Sequence, residues 1–540
     1  MATWYVRPDS SHSGTRNGTT YATAWGGWSE ITWGGGGVSA GDTLYVCGSH
    51  AYSSTITVGA HGGTTSSRTT IRGDASEEAG KITFVGNVYL QSDKANTIIR
   101  NLQFVAGTSN CIFIVDTATY CDYRYNTFIS KAANAALSLY AASGQDHVDV
   151  LIDNNTFTCS GDGMSAGKAA ALEWFMAASS ATSTLTRITI TNNTFKNCNT
   201  GRTAASVLQL RVDPVANTNC SITDLIVSQN KFIDCYGLGI RLRDDHAGST
   251  FGTFAGVKCN FNTFINCKET STAGMGGAIS IGSFGISTNS KFGYNEVCYN
   301  TGINLEGAAG GVNAFYGSYI IAYNYFENIT STTIDGNGVL LDHGCDKTFV
   351  YSNVFKNIKG KANVTNSGYV LMLLDSTNCY FYSNIAIDCR NGIHLGDASG
   401  SQSGYFYHNT FVDLGDYGIY AHASAGLNSI TVRNNIFTGS TYSVYDNTAI
   451  NWTGEDYNLF YDIAAGTQNH TLGSNDLTSN PQLNSAFLPL NTAIRTAGTP
   501  VGFTDFSRKA FSITPTIGAV QAFTTARSIV SRTVTQRGVS

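Results

Sequence analysis

The sequence is poor in proline and in charge. Its 540 residues include 6 Pro, and Asp, Glu, Lys and Arg together make up 13%, roughly half the usual share of a soluble domain. Because 42% of the residues are hydrophobic and 11% are aromatic, the chain can build a core, which excludes a disordered chain or a charged coiled coil. A net charge of -5, without any basic run, predicts no nucleic-acid partner and no binding to anionic membranes.

Several targeting and cross-linking signals are also missing. No apolar stretch approaches the roughly 18–20 residues that cross a bilayer, so no membrane insertion is predicted. The first residues lack the basic and apolar regions of a signal peptide, and we expect no classical export signal. The thirteen cysteines contain no CxxC pair and no zinc-like spacing with histidine. Neither a disulfide framework nor a metal site is therefore predicted.

A short phrase with a central asparagine recurs along the chain, for example Asn-Asn-Thr-Phe at 154–157 and again at 192–195. Each copy follows a segment in which apolar and polar residues alternate, and a second apolar run lies in each interval. Alternation with a period of two predicts strands. The repeated asparagines are Asn126, Asn155, Asn193, Asn230, Asn262, Asn295, Asn324, Asn353, Asn384, Asn409, Asn435 and Asn458.

Short strands repeated without any helical pattern predict an all-β fold, a single-stranded right-handed parallel β-helix of twelve or more coils. Asparagine suits a corner of each coil, because it tolerates the left-handed backbone conformation and its amide can bond to the next amide in the stack. The phenylalanines of the phrase are interpreted as a core ladder. Cysteines three residues further on are predicted to be reduced and buried beside it: Cys198, Cys235, Cys267 and Cys389.

Both ends of the chain resemble a known superfamily. Gly-Asp-Thr-Leu-Tyr-Val-Cys-Gly at 41–48 and Thr-Thr-Ile-Arg-Gly-Asp at 69–74 look like the opening of alginate-lyase and chondroitinase-type β-helices. Asn-Pro-Gln-Leu at 480–483 and Ile-Gly-Ala-Val at 517–520 are similar to the closing coil of bacterial and viral members. The chain thus resembles the pectate-lyase-like β-helix superfamily, which includes polysaccharide lyases, glycosidases and phage tailspike depolymerases.

The resemblance implies an organisation and a function. We expect an N-terminal cap with the first coils at 1–95, the β-helix at 96–475 and a closing coil with its tail at 476–540. The favoured function is a phage tailspike-like endo-glycosidase that cleaves a bacterial surface polysaccharide. The alternatives are a polysaccharide lyase and a non-catalytic adhesin. The resemblance also implies a homotrimer, a virion-tail or extracellular location, and no cofactor other than Ca²⁺ in the case of a lyase.

The longest intervals between the asparagines enclose residues 155–230 and point to a ligand-binding face, because long loops in a tight repeat are usually functional. Strand alternation predicts that charged side chains on these coils point outward. The segment 241–246, Arg-Leu-Arg-Asp-Asp-His, is the most charged part. Its alternative interpretation is a solvated surface on which arginine neutralises aspartate. The candidate substrate-binding residues are Arg211, Arg241, Arg243, His246, Trp174 and Phe175.

Two reactions could use this face. Asp213 with Asp245, and Glu306 with Asp342, are interpreted as carboxylates on adjacent coils, about 5 Å apart, which suits retaining glycoside hydrolysis. A pair two coils apart, about 10 Å, would instead suit inversion. Glu173 is the candidate general acid, because its aromatic neighbours would raise its pKa. A slip of one residue would instead turn Glu173 into the interior.

A lyase would need a base and a cation that faces the uronate carboxylate. Arg241, Arg243 and His246 could take these roles, and Asp244 with Asp245 could bind Ca²⁺. His343 with Asp346 forms a second small cluster, which we interpret as a loop feature. Later coils present three more outward side chains that could line the same groove: His394, Tyr420 and His422.

Overall fold

The computed structural model is almost entirely β-structure and divides into two units. Unit 1 comprises residues 1–296 and 300–309, and unit 2 comprises 297–299 and 310–540. The structure describes residues 1–8, 14–108, 110–115, 118–131, 134–141, 144–163, 168–176, 183–212, 220–244, 251–270, 276–283, 295–333, 335–364, 367–396, 401–422, 426–447, 452–505, 508 and 515–520.

Unit 1 contains three parallel sheets, to each of which every coil adds one strand, and a short fourth sheet. Sheet 1 contains Thr3–Val6, Thr43–Val46, Thr69–Arg72, Thr97–Arg100, Asp122–Arg124, Leu151–Asp153, Thr189–Thr191, Ile226–Ser228, Lys258–Asn260 and Asn295–Cys298, within which the unit boundary falls. Sheet 2 contains Gly48–Tyr52, Gly80–Phe84, Gln103–Ala106, Thr127–Ser130, Thr156–Cys159, Thr194–Lys196, Lys231–Ile233, Thr263–Ile265 and Thr301–Glu306. Sheet 3 contains Ile56–Thr57, Leu90–Gln91, Ile112–Val115, Leu137–Ala141, Ala169–Met176, Ser206–Val212, Leu238–Asp244 and Gly277–Ser283. Sheet 4 contains Asp146–Val148, Thr184–Thr186, Cys220–Thr223 and Phe251–Ala255.

Unit 2 repeats the same three-sheet coil. Sheet 1 contains Tyr319–Ala322, Phe349–Tyr351, Cys379–Tyr382, Ser401–Tyr407, Gly426–Arg433 and Trp452–Asp456. Sheet 2 contains Tyr325–Thr330, Val354–Gly360, Ile385–Ile387, Thr410–Val412, Ile436–Thr438 and Leu459–Tyr461. Sheet 3 contains Gly310–Gly317, Val339–Cys345, Tyr369–Leu373, Asn391–Leu395, Tyr417–Ala421, Tyr442–Asp446 and Gly466–Gln468. Two short helices complete the described chain, a 3-10 turn at Trp28–Glu30 and an α-helix at Thr492–Arg495.

The fold is therefore the predicted right-handed parallel β-helix. Parallel pairing places identical residue types in register from coil to coil, as when Phe157 pairs with Phe195 and Phe195 pairs with Phe232. These rings stack at centroid distances of 4.8 and 4.7 Å, close to the strand spacing. They are fully buried, which confirms the predicted core ladder. No helix in the described part of the chain is long and apolar enough to cross a membrane.

The cysteines belong to the same core. The side chains of twelve of the thirteen are described, and all twelve are free thiols and buried. The Cys198 Sγ donates to the Phe157 carbonyl at 3.5 Å, and the Cys235 Sγ donates to the Phe195 carbonyl at 3.5 Å. Burial raises the pKa of the Cys198 thiol well above its usual value. These side chains act as small apolar residues, as predicted.

Buried asparagines form a hydrogen-bonded ladder in each unit, at the corner between sheet 1 and sheet 2. In unit 1 the Asn193 Nδ2 donates to the Asn230 Oδ1 at 3.0 Å, and the Asn193 backbone N–H donates to the same oxygen at 3.0 Å. The Asn230 Nδ2 in turn donates to the Asn262 Oδ1 at 3.1 Å and to the Ile190 carbonyl at 2.9 Å. The amide thus satisfies the backbone groups that the corner would otherwise bury without partners.

The structure corrects two details of the predicted ladder. Asn262 bonds to Asn300 at 3.1 Å, whereas Asn295 accepts from the Val257 N–H at 3.0 Å beside sheet 1. The true phrase was hidden because Gly302 pairs with Phe264, where other coils have an apolar side chain. In addition, the left-handed backbone is adopted by the residue before each ladder asparagine, with φ between 52° and 60°: Tyr125, Asn154, Asn192, Gln229, Phe261, Tyr299, Tyr323, Ser352, Ser383, His408, Asn434 and Tyr457.

A carboxyl pair ends the ladder of unit 2. The last asparagine, Asn458, donates from its backbone N–H to the Asp476 Oδ1 at 2.7 Å and from its Nδ2 to the Glu455 Oε1 at 3.0 Å. The Glu455 Oε2 lies 3.1 Å from the His470 Nε2. Burial, followed by the hydrogen bond and charge of Glu455, raises the pKa of Asp476 to about 8. Asp476 is therefore protonated in the folded protein at neutral pH.

We expect Asn230→Ala to lower the free energy of unfolding of unit 1 by about 3 kcal/mol, because each buried donor left without an acceptor costs about 1–3 kcal/mol. Urea unfolding followed by circular dichroism measures the change. Thr158→Ala is the control, since Thr158 is exposed on a strand of sheet 2 and should move the midpoint little. Equal midpoints for the two variants would show that the ladder contributes nothing particular.

We expect stability to decrease as the pH rises. A pKa raised from 3.8 to about 8 contributes stability that is complete below about pH 4 and is lost as the pH approaches 8. Asp476→Asn keeps an oxygen for the Asn458 N–H without a charge. It should flatten the pH dependence and stabilise the protein at pH 8 by on the order of 2 kcal/mol. Thermal unfolding of both proteins between pH 5 and 9 checks this, and parallel curves would contradict it.

Candidate functional site

The outer face of sheet 3 in unit 1 carries a column of polar side chains, called here the polar column. The strand register places its members side by side on successive coils: Ser138, Glu173, Gln209, Arg241 and Ser280. The adjacent inward column contains Leu139, Trp174, Leu210, Leu242 and Ile281. Trp174 is 2% exposed and its ring lies 5.2 Å from that of His147. Trp174 therefore belongs to the core and does not line the outer face, so its prediction as a substrate-binding residue is wrong, whereas Glu173 points outward as predicted.

The polar column is buried although it faces away from the core. Glu173 is 7% exposed and Arg241 is 6% exposed. Gln209, between them, is also buried, and its Oε1 accepts from the Ser206 Oγ at 3.0 Å. Charged side chains are almost never buried unless other groups compensate them. The burial of a glutamate and an arginine on the outside of the β-helix therefore indicates that other groups hold the polar column in an ordered arrangement.

A second outward column lies beside the polar column and is aromatic on the earlier coils. Tyr140 stacks on Phe175 at 5.4 Å with an angle of 27° between the planes. The Phe113 ring, which the register places in line with Ser138, lies 6.3 Å from that of Tyr140. Phe175 pairs with Arg211 on the next strand. Sequence reasoning included Phe175 but missed Tyr140, which the register places one coil before Phe175.

Of six predicted site residues, the structure describes only the backbone of three and leaves the other three undescribed. Arg211, Arg243 and Asp244 lie in the strands Ser206–Val212 and Leu238–Asp244, and only their backbone is described. The backbone of Arg243 pairs with Gly282 and that of Asp244 pairs with Ser283. Asp213, Asp245 and His246 lie outside the described residues. The carboxylate pair Asp213 and Asp245, and calcium binding by Asp244 and Asp245, therefore stay predictions.

Glu306 does not lie where the sequence placed it. Taking Asn295 as the corner put Asn304 and Glu306 on the outer face of sheet 3. Because Asn300 is the ladder residue, the strand Thr301–Glu306 belongs to sheet 2, where Ile303 pairs with Ile265. Asp342 does lie in sheet 3, within Val339–Cys345. The structure therefore contradicts a common strand face for Glu306 and Asp342.

Asp342 belongs to a small charged cluster in unit 2. Its Oδ2 lies 3.3 Å from the His343 Nε2, and potential ligand atoms of Asp342, His343 and Asp375 all lie within 4.8 Å of one another. The His343 ring stacks between two aromatic rings, at 5.8 Å from Phe315 and 5.9 Å from Tyr316. Sequence reasoning missed Asp375, because it reaches His343 only through the stacking of coils.

The predicted partner of His343, Asp346, points elsewhere. Its Oδ1 accepts from the Thr377 Oγ1 at 3.1 Å and from the Asn378 Nδ2 at 2.9 Å. Lys347 lies 3.8 Å from its other oxygen. Asp346 therefore joins two coils and is not part of the charged cluster.

The charged cluster is a poor match for calcium. Ca²⁺ takes six to eight oxygen ligands, whereas His343 offers a nitrogen beside the carboxylates of Asp342 and Asp375. Two carboxylates and an imidazole suit a transition-metal ion better. No reaction step is assigned to a metal ion at this cluster.

The outer face of sheet 3 in unit 2 carries a column in the register Met372, His394, Tyr420 and Tyr445. Its first three members are buried. The His394 ring lies 5.4 Å from that of Tyr420 and 6.1 Å from that of His422. Burial, followed by the charge of His422, lowers the pKa of His394 to about 3. Sequence reasoning placed these three residues outward, and the structure brings them together.

Comparisons with known proteins give remote structural matches. No protein-family model and no curated protein matches the chain. A mannuronic acid specific polysaccharide family 6 lyase from human gut microbiota is 12% identical with a TM-score of 0.34, and the match covers 79% of this chain and 82% of that chain. A family 6 polysaccharide lyase from Pseudopedobacter saltans is 10% identical with a TM-score of 0.31, covering 96% and 100%. A mutant of the periplasmic alginate epimerase AlgG is 11% identical with a TM-score of 0.33, covering 79% and 76%.

The chain has a right-handed parallel β-helix fold. At these identities and TM-scores, the matched structures carry no argument about its reaction. One fold of this kind can host several chemistries. The reaction has to be inferred from the side chains on the outer face of sheet 3.

Proposed function

We propose that the protein is a polysaccharide depolymerase that cleaves a uronate-containing polymer by β-elimination on the outer face of sheet 3 in unit 1. The observation that carries the proposal is the burial of Glu173 and Arg241 in one outward column. They lie two coils apart, about 10 Å between Cα atoms. Gln209 lies between them in the column, so a sugar residue that lies across the column would meet the carboxylate on one side and the guanidinium on the other.

The polar column suits elimination better than hydrolysis. Retaining hydrolysis needs two carboxylates about 5 Å apart, but the neighbours of Glu173 in the column are Ser138 and Gln209. Neither neighbour can ionise. An arginine, by contrast, can bind the planar carboxylate of a uronate through two parallel hydrogen bonds. The endo-glycosidase expected from the sequence is therefore the second candidate, and it depends on Asp213 and Asp245.

The roles follow from the chemistry of a uronate. Arg241 binds the sugar carboxylate and stabilises the negative charge that develops when the neighbouring carbon loses its proton. Glu173 accepts that proton. The bond to the leaving oxygen then breaks, and a carbon–carbon double bond forms in the ring. Tyr140, about 8 Å from Glu173 between Cα atoms on the adjacent strand, donates a proton to the leaving oxygen.

The other expectations derived from the resemblance remain predictions. A homotrimer and a virion-tail or extracellular location are compatible with a polysaccharide substrate. They do not affect the assignment of Glu173 and Arg241. A non-catalytic adhesin would use the same face for binding alone, and the experiment below separates it from an enzyme.

We expect the purified protein to release products with a new ultraviolet absorbance from a uronate polymer, because elimination leaves a conjugated double bond. Polymannuronate is the first substrate to test, because one of the matched lyases is described as mannuronic acid specific. A panel of bacterial uronate polysaccharides follows. Reducing ends without the absorbance would indicate hydrolysis. Binding without any product would indicate an adhesin.

We expect Glu173→Gln and Arg241→Gln each to lower kcat/KM by about 10²–10⁴-fold, the usual contribution of a proton-transfer or charge-stabilising group. Arg187→Gln is the control, because Arg187 has an exposed side chain that pairs with Asp149 outside sheet 3. Initial rates and thermal melts are measured for all three. Unchanged kcat/KM in both polar-column variants would refute the assignment.

Methyl esterification of the uronate carboxylates gives a further test of Arg241. The ester removes the charge that the guanidinium binds, so the unmodified enzyme should cleave the acid form faster. In Arg241→Gln this preference should largely disappear. A preference of unchanged size in the variant would show that Arg241 does not bind the carboxylate.

A further inference from the structure

The outer face of sheet 3 in unit 2 contains a group of rings that the proposed reaction does not use. We call it the ring cluster, and its members are Tyr369, His394, Tyr420 and His422. The Tyr369 and His394 rings meet edge to face at 4.8 Å with an angle of 74° between the planes. The Tyr369 and Tyr420 rings lie 6.3 Å apart. The rings of the cluster lie close enough together to contact a single group of a ligand at the same time.

Polar atoms at the centre of the ring cluster are buried without hydrogen bonds to any described residue. Tyr369 is fully buried, and His394 is 1% exposed. Within the described ranges of the chain, neither ring nitrogen of His394 nor the Tyr369 hydroxyl has a hydrogen-bond partner. Buried polar side chains nearly always have one. Three such atoms in two touching residues are therefore an exception that needs a physical reason.

Tyr319, also in unit 2, shows how the fold hydrogen-bonds a buried tyrosine that has a structural role. Tyr319 is also fully buried. Its hydroxyl donates to the Phe315 carbonyl, at 2.7 Å, and lies 2.9 Å from the Tyr316 carbonyl. The fold thus satisfies the hydroxyl of Tyr319, whereas no residue that the structure describes bonds to that of Tyr369.

The chemistry of the unsatisfied atoms indicates the kind of ligand. Burial keeps the pKa of His394 near 3 and raises that of Tyr369 well above its usual value, so both side chains are neutral at physiological pH. A neutral imidazole donates from one nitrogen and accepts at the other, and a phenol does both. A weakly basic His394 is a poor proton acceptor for catalysis. These groups are suited to binding.

We propose that the ring cluster is a glycan-binding subsite, in which Tyr369 and His394 hydrogen-bond to neighbouring hydroxyl groups of one sugar and Tyr420 packs against its ring. Adjacent sugar hydroxyls each donate and accept, which matches the unsatisfied atoms. Flanking rings also favour a sugar, because Tyr417 and Tyr445 are half-buried and lie 5.1 and 5.5 Å from Tyr420. The proposal rests on the proposed function, since it takes the ligand to be part of the polysaccharide substrate.

A sugar can reach the cluster through its outer rings. His422 and Tyr417 are half-buried, and partly exposed side chains change rotamer within nanoseconds. Because Tyr369 and His394 are themselves buried, the proposed subsite requires these two outer side chains to rotate when a ligand binds.

The test uses Tyr369→Phe and His394→Phe in the full-length protein, with Tyr319→Phe as the matched control. Removing an unsatisfied buried group should raise the Tm of the free protein, by about 2 °C. The same change should weaken binding of polymannuronate oligosaccharides about tenfold, as expected for one lost hydrogen bond. Tyr319→Phe should do the opposite, because it removes a satisfied hydroxyl, and lower the Tm with unchanged affinity. Calorimetry measures both quantities.

The results distinguish a failure of the proposed subsite from a failure of the proposed function. If the unmodified protein cleaves or binds the oligosaccharides but Tyr369→Phe and His394→Phe bind them equally well, the subsite is refuted and the proposed function stands. If both variants lower the Tm and leave the affinity unchanged, the ring cluster is structural. If the unmodified protein neither binds nor cleaves any glycan of the panel, the proposed function fails and the subsite fails with it.

Discussion

A single coil of this protein cannot bury its own apolar side chains, so every coil depends on the hydrogen bonds that stack it on its neighbour. In each unit the most buried of these bonds join asparagine amides. The Asn193 backbone N–H and Nδ2 share the Asn230 Oδ1, and Asn230 repeats the arrangement with Asn262. A shift of one residue would break these bonds and turn the phenylalanine ladder outward. The ladder thus specifies the register on which both outward columns depend.

The register also explains how a β-helix can build sites on its outside. Parallel pairing repeats an outward position at about 4.8 Å from coil to coil, so a few substitutions produce a continuous strip. In unit 1 this strip places Glu173 and Arg241 on either side of Gln209. In unit 2 it places His394 beside Tyr420. The two differ in chemistry, since unit 1 offers a carboxyl group and a guanidinium for a reaction and unit 2 offers neutral groups for binding.

Much of the fold was predictable because its signals are local and repeated. Alternation with a period of two indicated strands, and the spacing of asparagines indicated coils. The errors arose where one coil departs from the pattern. Gly302 replaces the apolar residue after Asn300, which shifted the predicted corner to Asn295 and moved Glu306 from sheet 2 to sheet 3. The left-handed corner residue was misassigned for another reason: the asparagine is needed for its amide, and the residue before it makes the turn.

The sequence by itself determined the class of fold, the identity of the core ladders and the outward direction of Glu173, because each depends on neighbours in the chain. Only the tertiary structure decided that Glu173 and Arg241 are buried on an outer face, that Asp375 joins Asp342 and His343, and that Tyr369 and His394 lack hydrogen-bond partners among the described residues. Burial and hydrogen bonding of an outward side chain depend on residues from other coils. Those residues are distant in sequence, and no local pattern encodes their meeting.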